Sequence, residues 1–360
     1  MIRKAKAGFF RLAESSGLSS LLASSDWRRK RLLILCYHGV SMDDEHRWSD
    51  LYLSPDTLRR RLQLVRDAGC NVMPLDEALE RLQHGDLPPR AVVITFDDGL
   101  ADFHHIAFPI LRSFGFPVTL YLSTYYMEFN RPVFDSMASY LLWKSPRRGQ
   151  PFEWRGVLPQ AVDLQDSDSR LTAVRNLLQH TLDHKLSGLQ KDNLLTELAA
   201  RLEVDYEDLC RRRILHLINR DEGRELAAAG VDLQLHTHRH RVYRRRERMF
   251  AELDDNRQRI EALSPRGPIQ HFCYTGGFYL PQHREHLRDY GIVSATTCQP
   301  GYCTAATDPF LLPRLVDSES ITELSFRAWL TGAAGLIPVR NQKMEEGQLI
   351  DEQEDEEGAR

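Results

Sequence analysis

Short apolar runs recur along the chain at residues 31–38, 71–74, 91–96, 117–122, 231–235, 269–274 and 292–297. Several are rich in β-branched residues, as buried strands of a parallel sheet are. Between them the apolar spacing is helical. Ser54-Pro55-Asp56 opens one helix with an N-cap serine and a proline at the first position. Leu58, Leu62 and Val65 form its buried stripe, and Gly69 stops it. Further helices are predicted at 76–83, 102–114, 250–263 and 281–290, with a partial last strand at 310–314. Strands alternating with helices predict an α/β fold of parallel βα units, closed as a barrel or open as a sheet.

The interval of about 135–230 breaks this rhythm. It is rich in Leu, Arg, Asp and Glu and offers no strand. A crossover needs far fewer residues, so a helical insertion is expected between strands four and five. Residues 1–30 form a basic, weakly amphipathic leader, expected to pack on the domain or to lie on an anionic membrane surface. The main domain would run over 31–337, and the acidic residues 338–360 read as a disordered tail.

Charge and cysteine content narrow the picture. The net charge of −4 does not suggest a general nucleic-acid role. The six cysteines form no CxxC pair and read as thiols of a reducing compartment. Serines interrupt any candidate signal-peptide core, and no stretch approaches the ~20 apolar residues of a spanning helix. The expected location is therefore cytoplasmic, at most peripheral to the inner face of the membrane.

The polar residues that matter stand where strands end. The run at 91–96 leads into Asp97-Asp98-Gly99. Two carboxylates there repel unless a cation divides their roles. Alternatively, Asp98 caps the following helix. The run at 231–235 leads into His236-Thr-His-Arg-His240, three histidines in five residues. Two histidines and an aspartate with an open position are a known catalytic-zinc pattern. A helical turn would bring His236 and His240 to one face. His38 and Tyr274 also lie at strand ends, and in a barrel all such ends face one side.

Thr95-Phe-Asp-Asp-Gly99 together with His236-Thr-His-Arg-His240 resembles the NodB-homology polysaccharide deacetylases, carbohydrate esterase family 4, over about residues 32–314. The resemblance implies a distorted (β/α)7 barrel. It also implies one divalent ion, zinc suiting the imidazoles, on Asp98, His236 and His240. Asp97 would be the general base, and the backbone N–H of Tyr274 would help hold the oxyanion. Arg314 is a candidate partner for Asp97. His238 reads as a supporting or solvent-facing residue. The family's late leucine–histidine motif is absent, and His38 resembles the replacement acid of the exopolysaccharide-associated branch.

The function implied is removal of N-acetyl groups from amino sugars of a polysaccharide or its lipid-linked precursor. The alternatives are a catalytically silent carbohydrate-binding protein on this fold and another metal-dependent hydrolase. Retention of Asp97 beside all three ligands speaks against the first, because binding needs no base. The basic run from Arg241 to Arg248 could meet a pyrophosphate or anionic lipid. Sugar-contacting residues and oligomeric state are not legible.

Overall fold

The computed structural model describes residues 2–147, 149–263 and 267–337, so the expected acidic tail lies outside the described residues. Eight strands form one parallel sheet: β1 (Leu33–Tyr37), β2 (Asn71–Val72), β3 (Ala91–Phe96), β4 (Thr119–Leu122), β5 (Asp232–Leu235), β6 (His271–Cys273), β7 (Ser294–Thr296) and β8 (Leu315–Val316). Their order is β8-β1-β3-β4-β5-β6-β7, with β2 paired to the start of β3. The outer strands then approach each other through one segment. Pro309 and Leu312 hydrogen-bond to Ala295 and Thr297 beside β7, and Leu315 and Val316 pair with Leu35 and Cys36 of β1. The sheet is thereby a curled, distorted barrel. The last strand lies a few residues later than 310–314, because Leu312 makes only a bridge to Thr296 before pairing with β1 begins.

β1 and β3 are buried at every position, which explains their unbroken apolar sequence. Side chains still alternate between faces. Ile34 and Val93 share a core cluster with Tyr121 and Cys273. Continuing the same alternation places Cys36, His38 and Asp97 together beyond that cluster.

The leader is three helices, α1 (Ile2–Ser15), α2 (Leu18–Ser24) and α3 (Asp26–Arg29). Phe10 and Ala13 are buried, and Glu14 pairs with Arg327. Arg28 is fully buried and donates to the carbonyls of Leu330, Arg31 and Ala91. A buried guanidinium survives only with its donors placed, so Arg28 fixes the leader to the domain. The helix α4 (Pro55–Asp67) starts as its sequence predicts, with the Ser54 hydroxyl accepting from Thr57 N–H. After it come α5 (Leu75–His84) and α6 (Phe108–Phe114).

Residues 126–219 make a compact unit of their own, apart from 1–125 and 220 onward. It holds α7 (Phe134–Lys144), α8 (Ser167–Asp183), α9 (Gly188–Arg201) and α10 (Tyr206–Arg211). Ser187 and Gln190 form a capping box at α9. The next helix, α11 (Arg220–Ala228), was expected in the insertion but clusters with the barrel unit, whose fifth strand it feeds. Then follow α12 (Arg246–Glu261), α13 (His283–Asp289) and α14 (Glu323–Thr331). The α12 helix starts earlier than expected, so Arg246 and Arg248 of the basic run lie in its first turn. Among the described residues no helix is long and apolar enough to cross a membrane.

Candidate active site

Asp97 and Asp98 leave β3 in opposite directions because the backbone turns sharply there. Asp97 N–H still bonds Tyr37 O at 2.9 Å, in register with β1. Asp98 and Gly99 then adopt φ values of 70° and 81°. A side chain at Gly99 would be strained at that φ and would place its Cβ 2.2 Å from Leu122 Cδ1. Asp98 does not cap a helix. Its Oδ1 lies 3.1 Å from His236 Nε2 and 3.1 Å from His240 Nε2.

The two histidines meet by a different route from the expected helical turn. Residues 236–240 are a loop, and Thr237 and His240 take φ values of 62° and 57°. Non-glycine residues in that region are uncommon and cluster where function requires them. The turn leaves the two rings edge to face with centroids 5.0 Å apart. His236 is buried, and its Nδ1 lies 2.9 Å from Cys273 O. A carbonyl only accepts, so Nδ1 carries the proton and the Nε2 lone pair faces Asp98. The His236 N–H donates to Asn256 Oδ1, and Asn256 Nδ2 donates to Leu122 O and Thr124 Oγ1. Thr124 in turn pairs with His238 Nδ1 at 2.9 Å. His238 is thus buried behind the site, a supporting residue.

The fit to a divalent ion follows from this donor set. One carboxylate oxygen and two imidazole nitrogens lie within 4.8 Å of one another. One ring is locked in the ligating tautomer, and His240 keeps the third donor near solvent. Burial pushes the Asp98 carboxyl up, but the two imidazoles beside it, His240 foremost, hold it well below the usual carboxylate range. Asp98 is thereby held ionised, the form a metal needs of a carboxylate.

Asp97 has a separate environment. Arg314 Nη1 bonds its Oδ1 at 2.7 Å and Nη2 its Oδ2 at 2.6 Å, the pairing suspected from the sequence. The remaining Arg314 donors reach Thr95 Oγ1, Thr297 O and Cys273 Sγ. Cys36 and Cys273 approach Asp97 Oδ2 at 3.5 and 3.4 Å. Burial pushes both thiols well up, so they remain S–H donors. Burial also pushes Asp97 up, but the Arg314 charge outweighs it and holds the carboxyl at about 2.

Two further candidates have defined positions. His38 Nε2 lies 3.8 Å from Asp97 Oδ2, so the candidate acid stands beside the candidate base. Its Nδ1 is buried without a hydrogen-bond partner among the described residues. The backbone N–H of Tyr274 donates to Thr296 O at 3.2 Å, in the β6–β7 ladder direction. Sheet pairing has therefore taken the amide expected to hold an oxyanion, and the Tyr274 side chain is buried against Phe272 and Tyr279.

Residues 216–295, which contain His236 and His240, match the family described as polysaccharide deacetylase. Over those residues the chain is similar to that family. Over 99 residues it is 31% identical to the poly-beta-1,6-N-acetyl-D-glucosamine N-deacetylase of Escherichia coli K12, an alignment that takes in 27% of this chain. The chain spans 15% of that relative's length. The deacetylase PplD of Streptococcus pyogenes has the same fold, with a TM-score of 0.54 at 16% identity, covering 83% of this chain and 98% of that one. IcaB from Ammonifex degensii gives 0.52 at 16%, covering 84% and 97%. A de-N-acetylase from Aggregatibacter actinomycetemcomitans gives 0.52 at 15%, covering 83% and 99%.

Proposed function

We propose that this deacetylase domain hydrolyses N-acetyl groups of amino sugars in a polysaccharide or its lipid-linked precursor, with one divalent ion, zinc by preference, on Asp98, His236 and His240. The observation that carries the reading is the convergence of both His Nε2 atoms on one Asp98 oxygen, beside a second carboxylate held ionised by Arg314. When bound, the ion supplies Lewis-acid polarisation of the acetyl carbonyl and a lowered water pKa. Asp97, fixed by four donors, accepts the proton of the attacking water. His38, its immediate neighbour, passes a proton to the departing amine. Thiols and Arg314 keep bulk water from Asp97, so its orientation is set before substrate arrives.

A carbohydrate-binding role would need neither the buried ion pair nor the tautomer lock. The exposed arginines Arg244, Arg245, Arg246 and Arg248 follow His240 closely and support contact with an anionic carrier or membrane face, in keeping with a cytoplasmic location. Acetate release from an N-acetylglucosamine oligomer, measured with zinc content, tests the reading. A zinc-loaded chain that releases no acetate from any N-acetylated oligomer would sink it.

A further inference from the structure

A second cluster of donors lies away from Asp98. Adjacent residues of an α-helix point ~100° apart and do not meet a common partner. Phe103–Ala107 is instead a π-turn, the widened form often found at functional sites. It turns both His104 and His105 toward α11. His104 Nε2 lies 2.9 Å from Glu225 Oε2, and His105 Nε2 lies 3.0 Å from Glu222 Oε1. The rings stand edge to face with centroids 5.0 Å apart. Glu222 and Glu225, three residues apart, share one face of α11. His104, His105 and Glu222 each offer a ligand atom, all within 4.8 Å of one another.

We propose that His104, His105 and Glu222, with Glu225 beside His104, form a second metal site, for a zinc-class divalent ion. Zinc bonds of about 2.0–2.2 Å put tetrahedral ligand atoms ~3.3 Å apart, which needs only small side-chain movements from the positions seen. Two imidazoles with carboxylates suit zinc, nickel and copper better than calcium or magnesium. The ion would also neutralise Glu222, whose side chain is only 10% exposed. Its position gives it a task. The π-turn follows Asp97 and Asp98 within ten residues, and α11 leads straight into β5 and His236. A metal there clamps together the two chain segments that carry the main site.

The test is zinc stoichiometry on the full chain, stripped with a chelator, reloaded with zinc and freed of excess by gel filtration. Wild type should hold two zinc ions per chain. His236→Ala should hold one, and His104→Ala/His105→Ala should hold one, which His236→Ala added to that variant should remove. Zinc should raise the Tm of the His236→Ala chain by a few degrees, and of a His104→Ala/His105→Ala/His236→Ala chain not at all. A His104→Ala/His105→Ala chain that binds as much zinc as wild type overturns the proposal. If that variant fails to fold, Glu222→Gln/Glu225→Gln keeps the shape and should lose the same ion; retention there overturns it equally. Loss of zinc from the His104 variants with no loss from His236→Ala would sink the catalytic reading and leave this site standing.

Discussion

Arg314 holds Asp97 in a fork, two bonds of 2.7 and 2.6 Å from one guanidinium to one carboxylate, with both side chains almost fully buried. Such planar pairing is what lysine cannot reproduce. Its thiol neighbours come from separate parts of the chain: Cys36 lies 61 residues from Asp97, and Cys273 and Cys298 lie 41 and 16 residues from Arg314.

Arg314→Met should leave Asp97 as an uncompensated buried charge, at a cost of ~3–5 kcal/mol. Without the arginine, burial alone governs the carboxyl and its pKa rises from about 2. The acid limb of kcat/KM should therefore shift to higher pH, and Arg314→Lys should shift it less. A pH–rate profile identical to wild type would remove Arg314 from the mechanism.

Asp98→Ala and His236→Ala should lose both metal and hydrolysis. Asp97→Asn should keep the metal and lower turnover ~10²–10⁴-fold, as should His38→Ala. Near-normal turnover of His38→Ala at all pH values would place the acid elsewhere, while loss of its metal would make His38 a ligand or its support.

Asn256 satisfies the His236 N–H and ties it to Leu122 and Thr124. Asn256→Leu should leave these buried groups unpaired and weaken zinc binding ~10–100-fold, the usual effect of removing a ligand's support. Zinc titration of the folded variant measures this, and unchanged affinity would reduce Asn256 to a core residue.

His283 is fully buried, accepting from Leu280 N–H at Nδ1 and facing Tyr243 O through Nε2. Burial pushes it down to about 4. The unfolded chain protonates this group near its ordinary ~6.5, so it binds more protons than the native state between those values. Stability should be intact above about pH 6.5 and fall as pH drops toward 4, by ~3 kcal/mol from this group. Urea midpoints at pH 7 and 4.5 should separate less in His283→Gln; an equal separation would rule His283 out as the cause.

The site's polar ends were legible because β1 and β3 are buried at every position and β1, β3, β5 and β6 are each followed at once by a candidate site residue. Asp98, His236 and His240 could be grouped from motif and strand position alone. What was missed depends on contacts that sequence spacing does not encode. Asn256 sits among charged residues of α12 with nothing local to mark it. The histidine loop needed two left-handed residues, Thr237 and His240, neither of them glycine. Tyr274 was misjudged because its amide is claimed by Thr296, a neighbour only after β6 and β7 pair. Arg314 could be suspected but not fixed, since its partner lies 217 residues away.

The segment that brings β7 round to β1 also carries Arg314, and this sets an order of assembly. During synthesis Asp97, Asp98 and both ligand histidines emerge well before residue 314. Until the closing segment docks, Asp97 sits at an open seam with no counter-charge, so the base and the finished barrel arrive in the same step. A chain ending at residue 308 should therefore stay protease-sensitive and inert instead of yielding a partly active barrel. An incomplete copy would then never meet its substrate with a working site, and resistance of that truncated chain to trypsin would show that closure and charge pairing are independent.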